Sequence, residues 1–341
     1  MERHGGDIYR NRVSLDFSIN INPLGIPEGV QKSLQEAIKD CSTYPDIQSQ
    51  RLKQAIAFWL KLPQEYLIMG NGASELLMAV VHGLKPKKTV IPIPSFYGYE
   101  YAAGATGGEI IYYETRKEDG FQPGEDLYLW LTEEVKLLFL GNPNNPTGRL
   151  LNPEFLEKLL LHCAKQKIKI VVDESFVELC EPKGSFLSKI EQYEGLILIR
   201  SFTKSFAIPG VRLGYLICSH KETREKIERQ LPEWNLSLFA QKAGVACTRE
   251  EGFLRETQRV LEEERRFLTE GLRALGFWVG EGEANFLLFF SNRRLYEPLL
   301  EKGILIRDCQ NFRGLSKGYY RIAIRTRAEN EKLLKNMGEI M

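Results

Sequence analysis

The chain has 341 residues, of which 43% are hydrophobic and 27% charged, a composition typical of a globular protein with one large domain and a smaller one. Its formal net charge of +1 argues against a general nucleic-acid binder, which carries a basic patch. The six cysteines form no Cys-x-x-Cys pair, no signal peptide follows Met1 and no apolar stretch is long enough to span a bilayer. These features predict a cytoplasmic protein with free thiols.

The predicted elements begin with residues 1–30, which are rich in Gly, Asn and Pro and are expected to form an ordered arm. Strands and helices then alternate. A helical period runs over 153–167, and apolar runs predict strands at 66–69, 89–93, 135–140, 168–172, 196–199 and 213–218. Continuous apolar strands separated by helices indicate an α/β fold with a mostly parallel sheet covered on both faces.

The last third of the chain has a different pattern. A charged stretch at 221–230 leads into a predicted helix over 253–275, followed by strands near 286–290, 304–306 and 320–324. This α+β arrangement predicts a second, smaller domain. The four histidines are far apart and none lies in a His-Glu-x-x-His helix, so we expect no metal site.

Polar groups follow the carboxyl ends of the predicted strands, where ligands bind in open α/β sheets. The turn Gly70-Asn-Gly-Ala-Ser-Glu75 opens onto a helix and predicts an anion site, or else merely a connection. The stiff loop Gly141-Asn-Pro-Asn-Asn-Pro-Thr-Gly148 can aim the Asn145 amide at a fixed point. Asp173 continues a buried strand and needs a partner, although it could also be a helix N-cap.

Lys204 is the most informative residue of the next strand end. It closely follows the apolar run at 196–199, with hydroxyls at Ser201 and Thr203 and a guanidinium at Arg212. An amine beside phosphate-binding groups suggests an imine with the aldehyde of pyridoxal 5′-phosphate (PLP), whose protonated ring nitrogen Asp173 would hold. Taken alone, Lys204 could equally be a surface loop lysine. An amide (Asn145), a carboxylate (Asp173) and a lysine (Lys204) follow three successive predicted strands in this order. Their joint occurrence favours the PLP site.

Asn-Pro-x-Asn-Pro-Thr-Gly, then Asp-Glu, then Ser-x-x-Lys with an arginine eight residues on resembles the motif set of the class I/II aminotransferases, PLP-dependent enzymes of fold type I. The resemblance implies the aspartate aminotransferase fold, with a mostly parallel seven-stranded sheet, and a homodimer with the active site at its interface. It implies three parts: an N-terminal arm (1–30), a large PLP-binding domain (31–225) and a small C-terminal domain (226–341).

The resemblance also implies roles for individual residues. Lys204 would be the Schiff-base lysine, Asp173 the partner of the ring nitrogen and Asn145 the donor to the ring hydroxyl, with Phe96 stacked on the ring. The phosphate of the cofactor would be held by Gly72, Ala73, Ser201, Thr203 and Arg212, and by Tyr44 of the neighbouring subunit. Arg321 would bind the substrate carboxylate.

Two branches of this family resemble the chain most, the L-threonine-O-3-phosphate decarboxylases of cobalamin biosynthesis and the histidinol-phosphate aminotransferases. Four features favour decarboxylation to aminopropanol phosphate: the opening from His4 to Gly25, Phe176 where aminotransferases usually have tyrosine, the blocks at 303–312 and 319–325, and, least specific, Pro209. Transamination of histidinol phosphate or a related amino acid with 2-oxoglutarate is the alternative.

A substrate with two anionic ends would account for several cations in one site. Arg321 and Arg307, with His4 and Asn20 of the arm, are predicted to bind a phosphate and a carboxylate. Arg307 could instead form a surface ion pair, and His4 could belong to a disordered terminus. A non-catalytic regulator module is a third interpretation, but such proteins carry an additional DNA-binding domain for which this chain has no spare residues.

Overall fold

A computed structural model describes residues 5–180 and 184–340 of the chain. The strands, numbered in chain order, are β1 (Leu15–Asp16), β2 (Leu67–Gly70), β3 (Lys88–Ile93), β4 (Glu109–Glu114), β5 (Leu137–Gly141), β6 (Lys169–Asp173), β7 (Leu196–Ser201), β8 (Gly214–Ile217), β9 (Trp278–Val279), β10 (Phe286–Phe290), β11 (Ile304–Leu305), β12 (Arg307–Asp308) and β13 (Tyr319–Ala323). The α-helices are α1 (Glu28–Ala37), α2 (Gln50–Leu60), α3 (Ala73–Leu84), α4 (Tyr97–Gly104), α5 (Pro153–Gln166), α6 (Phe202–Ser205), α7 (Lys221–Glu228), α8 (Leu238–Cys247), α9 (Glu251–Ala274), α10 (Tyr296–Glu301) and α11 (Arg327–Ile340).

Within the described residues, the larger sheet has seven strands in the order β2-β8-β7-β6-β5-β3-β4. Strands β7, β6, β5, β3 and β4 run parallel, and β8 is antiparallel to both of its neighbours. The predicted mostly parallel sheet is therefore confirmed. The edge strand β4 was not predicted, because its sequence Glu-Ile-Ile-Tyr-Tyr-Glu is charged at both ends and only partly buried.

Both faces of the larger sheet are covered by hydrophobic cores. Along β5, Leu138 and Leu140 pack into one core, whereas Leu137 and Phe139 pack into the other. This alternation is the two-residue period of a strand, and it explains why the strands read as continuous apolar runs. No helix in the parts of the chain that the structure describes is long and apolar enough to cross a membrane.

The C-terminal third forms a four-stranded antiparallel sheet in the order β12-β13-β10-β9, covered by α9 and α11. Its core also contains Phe17 of the arm, and β1 pairs in parallel with β11. Helix α8, in contrast, packs against α1 and α2, and its Ala240 belongs to a core of the larger sheet. The division into parts at residues 30 and 225 stays a prediction.

Candidate active site

The strand register brings the predicted polar groups to one edge of the larger sheet. Gly141 at the end of β5 is paired with Asp173 at the end of β6, which is in turn paired with Ile199 of β7. Because parallel strands end at the same edge, the loop after β5, Asp173 and the helix α6 after β7 are neighbours. They surround a cavity of about 690 Å³.

Most of the predicted site residues line this cavity. They are Asn20, Ala73, Phe96, Asn145, Asp173, Ser201, Thr203, Lys204, Arg212, Arg307 and Arg321. Gly72 is the N-cap residue of α3, immediately before Ala73. Tyr44 does not line the cavity; it is 81% exposed, with its ring 5.5 Å from that of Trp234. His4 lies outside the described residues.

Lys204 lies in the short helix α6, directly after β7. Burial, together with the positive charges of Arg321 and Arg212, lowers the pKa of its ammonium to about 8. The main chain behind it is fixed by the arm, since the Asn22 backbone N–H donates to the Lys204 carbonyl over 3.0 Å. The Asn22 amide also donates to the Ser205 carbonyl and to Thr257 Oγ1 of α9, each over 2.8 Å. Sequence reasoning missed this contact.

Asp173 is buried at the end of β6, and burial raises the pKa of its carboxyl group. Two hydrogen bonds oppose this effect. The Ser175 N–H donates to Oδ1 and the Tyr99 hydroxyl donates to Oδ2, each over 3.0 Å. Tyr99 is itself held by Phe139, whose ring is stacked 5.3 Å away. This arrangement holds the carboxylate ready for a cationic partner.

The predicted anion site has the donors that a phosphate needs. Helix α3 begins at Ala73 after Gly72, and the first N–H groups of a helix lack intrahelical partners. The φ of +80° at Gly72 favours glycine, and a Cβ there would lie 2.5 Å from Arg212 Nη2, so the guanidinium would have to shift. Opposite them, the hydroxyls of Ser201 and Thr203 are 2.7 Å apart. Together these groups form an anion cradle.

Arg321 lies on β13 and lines the same cavity. One of its nitrogens, Nη1, donates to Asn145 Oδ1, and Nη2 donates to the Ser18 carbonyl over 2.7 Å. Burial and the nearby Arg307 charge lower its pKa to about 10. Within the described part of the chain, its buried Nε and the buried Oδ1 of Asn20 have no hydrogen-bond partner. Both residues line the cavity, so these atoms are suited to a bound polar ligand.

Arg307 is paired with Arg321 across the antiparallel strands β12 and β13. It is buried, its pKa is lowered by burial, and its Nη2 donates to Asn311 Oδ1 over 2.7 Å. This burial contradicts a surface position for Arg307. Phe176 also lines the cavity, and its ring meets Phe286 edge-on at 5.2 Å.

A buried charge cluster beneath the cavity was not predicted. Arg200 donates to Glu174 Oε2 from Nε over 2.9 Å and from Nη2 over 2.8 Å, and its Nη1 lies 3.6 Å from Glu178 Oε1. Glu178 accepts from Ser205, the residue after Lys204, over 3.2 Å. Burial raises the pKa of the Glu178 carboxyl group, and the positive charge of Arg200 opposes this shift. Arg200 inside the buried strand β7 and Glu174 directly after β6 were the only signal for this cluster in the sequence.

Comparisons with known proteins agree with this geometry. The family model of class I and II aminotransferases matches residues 12–337. The chain belongs to this family. It is an enzyme, and the cofactor of the family is PLP. The predicted family and fold class are thereby confirmed.

The similar proteins include members with different activities. The threonine-phosphate decarboxylase of Salmonella typhimurium is 35% identical over 331 residues, which cover 96% of this chain and 91% of that protein. The adenosylcobalamin biosynthesis bifunctional protein of Leptospira interrogans is 33% identical over 96% of this chain and 38% of that protein. Among solved structures, the histidinol-phosphate aminotransferase from Clostridium acetobutylicum has a TM-score of 0.90 and 34% identity, covering 96% of this chain and 98% of that chain.

The residues present fit PLP. The anion cradle suits its phosphate, the Asp173 carboxylate suits its cationic ring nitrogen, and Lys204 supplies an amine of lowered pKa. Arg212 approaches Gly72 closely, so a side chain at that position would displace the guanidinium from the anion cradle. Phe96 lies on the cavity wall where an aromatic ring can pack on the cofactor.

Proposed function

We propose that this enzyme decarboxylates L-threonine O-3-phosphate to aminopropanol phosphate, a step of cobalamin biosynthesis. The observation that carries the proposal is the pair of buried arginines, Arg307 and Arg321, placed opposite each other in the cavity that also contains Lys204. Two guanidinium groups match a substrate that carries a phosphate and a carboxylate. The relatives from Salmonella and Leptospira support the same substrate and pathway.

Bound PLP supplies an electron sink for the bond that breaks at the substrate Cα. In the proposed reaction, Asp173 keeps the proton on the ring nitrogen, and the anion cradle and Asn145 fix the orientation of the ring. Arg321 and Arg307, with Asn20, hold the two anionic ends so that the carboxylate is the group in position to leave. Lys204 Nζ, released from the cofactor when the substrate binds, would return a proton to the Cα after CO₂ has left.

Phe176 supports decarboxylation over transamination. It places a ring without a hydroxyl at the cavity wall, where aminotransferases of the family usually have a tyrosine. Transamination of histidinol phosphate with 2-oxoglutarate is the second candidate, favoured by the 34% identity to the Clostridium acetobutylicum aminotransferase.

One assay separates the two candidates. Purified protein is incubated with L-threonine phosphate alone, and in parallel with histidinol phosphate plus 2-oxoglutarate. We expect CO₂ and aminopropanol phosphate in equal amounts from the first mixture. A strict requirement for 2-oxoglutarate would instead identify an aminotransferase. Lys204→Ala is the control, which should lose turnover and the visible absorption that borohydride reduces.

We further propose a homodimer in which Tyr44 reaches the cofactor phosphate of the partner subunit. The exposed Tyr44 ring, together with exposed Ile47 and Trp234, supports an interface at this surface. Mixing Tyr44→Ala with Lys204→Ala subunits should restore activity, because each hybrid dimer then contains one intact site. If the mixture is no more active than its components, Tyr44 acts in its own subunit or not at all.

A cytoplasmic location is part of the same proposal. It is supported by the six cysteines, all of which are free thiols and five of which are buried.

A further inference from the structure

The segment between β12 and β13, the strands that carry Arg307 and Arg321, forms part of the cavity wall. Residues 309–318, here called the strap, connect β12 with β13. These two strands carry Arg307 and Arg321, which are paired across the sheet. Six consecutive strap residues line the cavity: Gln310, Asn311, Phe312, Arg313, Gly314 and Leu315. The strap is turned on itself, because the Phe312 N–H donates to the Cys309 carbonyl over 2.9 Å. It is thus a compact wall of the site rather than a remote loop.

The strap is attached to the larger sheet through Arg313. Its Nη2 lies 3.1 Å from Glu100 Oε1 and its Nε lies 3.3 Å from Oε2, so that the guanidinium grips both oxygens of a residue on α4. The same guanidinium lies 4.2 Å from the centroid of the Tyr112 ring on β4. Glu100 and Tyr112 also line the cavity. One side chain therefore joins the strap to two elements across the site.

The neighbouring strap residues contact Arg307. Asn311 Oδ1 accepts from Arg307 Nη2 over 2.7 Å, and the Arg307 guanidinium lies 5.3 Å from the Phe312 ring centroid. Next to Arg313, Gly314 has φ of +85°, and a Cβ there would lie 3.2 Å from the backbone nitrogen of Pro94. The strap thus follows the opposite cavity wall closely while it holds the guanidinium of Arg307.

The contact between Arg313 and Glu100 is suited to local order rather than to global stability. Their side chains are 50% and 30% exposed, and exposed ion pairs contribute little to the free energy of unfolding. A two-point arginine–carboxylate contact stacked on an aromatic ring nevertheless fixes one orientation, which a lysine could not reproduce. Its effect should therefore appear in substrate binding and not in the unfolding temperature.

We propose that Arg313 is a positioning residue. Its contact with Glu100 over the Tyr112 ring holds the strap in place at the cavity wall. Asn311 and Phe312 of the strap then keep the Arg307 guanidinium directed at the second anionic end of the substrate. This inference rests on the proposed function only in requiring a substrate with a phosphate group. Arg313 acts through Arg307 and is not itself a catalytic residue.

The test uses the holoenzyme with L-threonine phosphate. We expect Arg313→Ala and Glu100→Gln each to raise KM roughly three- to tenfold with kcat within about twofold, the size of a local binding contact. The double variant should be no worse than the worse single variant, because both remove one contact. Arg313→Lys should be intermediate. Arg259→Ala is the matched control, since Arg259 grips Glu256 in the same way on the surface of α9.

A second measurement separates a positioning role from general damage. Amide hydrogen exchange of residues 309–318 should accelerate in Arg313→Ala and remain unchanged in Arg259→Ala. An unchanged KM in Arg313→Ala would overturn the proposal. A fall in kcat and in thermal stability as large as the rise in KM would overturn it too. If wild-type protein transaminates histidinol phosphate instead, the proposed function fails, but the same variants are then tested with that phosphorylated substrate, so the strap is judged separately.

Discussion

The Tyr99 hydroxyl donates a 3.0 Å hydrogen bond to Asp173 Oδ2, joining α4 to the end of β6 inside the core. Tyr99 is fully enclosed, and burial beside this carboxylate raises its own pKa well above the ordinary value. The tyrosine therefore stays protonated at neutral pH and donates this hydrogen bond to the carboxylate. Asp173 is held from the side of α4 as well as from its own strand.

Tyr99→Phe removes this donor and leaves the ring in place. We expect the free energy of unfolding to fall by about 1.5–3 kcal/mol and kcat/KM to fall about 10- to 100-fold, because a hydrogen bond to a buried charge is lost. Urea denaturation and steady-state kinetics measure the two effects. Tyr113→Phe is the control, since Tyr113 also donates to an aspartate, Asp126, over 2.6 Å, but outside the cavity. Equal activity losses in both variants would contradict the assignment.

The lowered pKa of Lys204 predicts the pH dependence of apoprotein stability. Burial, followed by the charges of Arg321 and Arg212, lowers this pKa from 10.5 to about 8. Between these two values the unfolded chain binds more protons than the folded chain, so the contribution of Lys204 to stability rises with pH through this window. The difference in the free energy of unfolding between wild-type and Lys204→Met apoprotein should follow this rise. A difference that is flat from pH 7 to 11 would show that the amine is not perturbed.

Gly72→Ala should weaken cofactor binding. The new methyl group would contact Arg212 Nη2, and alanine is strained at the φ of +80° and ψ of 167° found there. We expect about tenfold weaker PLP binding, the effect of displacing one charge-assisted hydrogen bond. Gly107→Ala is the matched control, because φ there is +72° and a Cβ at that position would have no atom within 4 Å. Spectroscopic titration of the apoproteins with PLP compares the two, and equal affinities would contradict a steric role.

Arg200→Met tests the buried charge cluster. It leaves the carboxylates of Glu174 and Glu178 without their shared cation, and breaking a buried pair from one side costs about 3–5 kcal/mol. We expect a loss of this size in the free energy of unfolding, measured in urea at pH 7. Arg259→Met, which breaks ion pairs of the exposed α9 surface, should change stability little. A small loss in both variants would mean that water replaces the guanidinium.

The larger sheet was predictable because its strands are continuous apolar runs, and the polar residues after them fall where parallel strands end. That pattern located Asn145, Asp173 and Lys204 at one edge without any knowledge of contacts. The edge strand β4 was not predicted, because its half-buried residues and terminal charges weaken the apolar pattern of a strand. Strands near 304–306 and 320–324 were also predicted and correspond to β11 and β13, whereas β12, which carries Arg307 and pairs with β13, was not predicted.

Contacts between distant segments could not be predicted. Tyr99 and Asp173 are 74 positions apart, and Asn22 and Ser205 are 183 positions apart. Nothing in either local pattern indicates that a tyrosine of α4 or an asparagine of the arm belongs behind the site. Such pairs depend on how the whole chain packs, and the hydrophobic periodicity of a sequence contains no information about that packing. The roles of Tyr44 and His4 stay predictions.

The arm is anchored at two points, Phe17 and Asn22, and this limits how far β13 can move from Lys204. The Ala323 N–H donates to the Phe17 carbonyl over 2.8 Å, and five residues later the Asn22 N–H donates to the Lys204 carbonyl. Five fully extended residues span at most about 18 Å. While both hydrogen bonds hold, the Ala323 backbone of β13 stays within roughly this distance of the Lys204 backbone, plus the lengths of the two hydrogen bonds. The product must then leave while these two segments stay within that distance, or one of the two hydrogen bonds must break first.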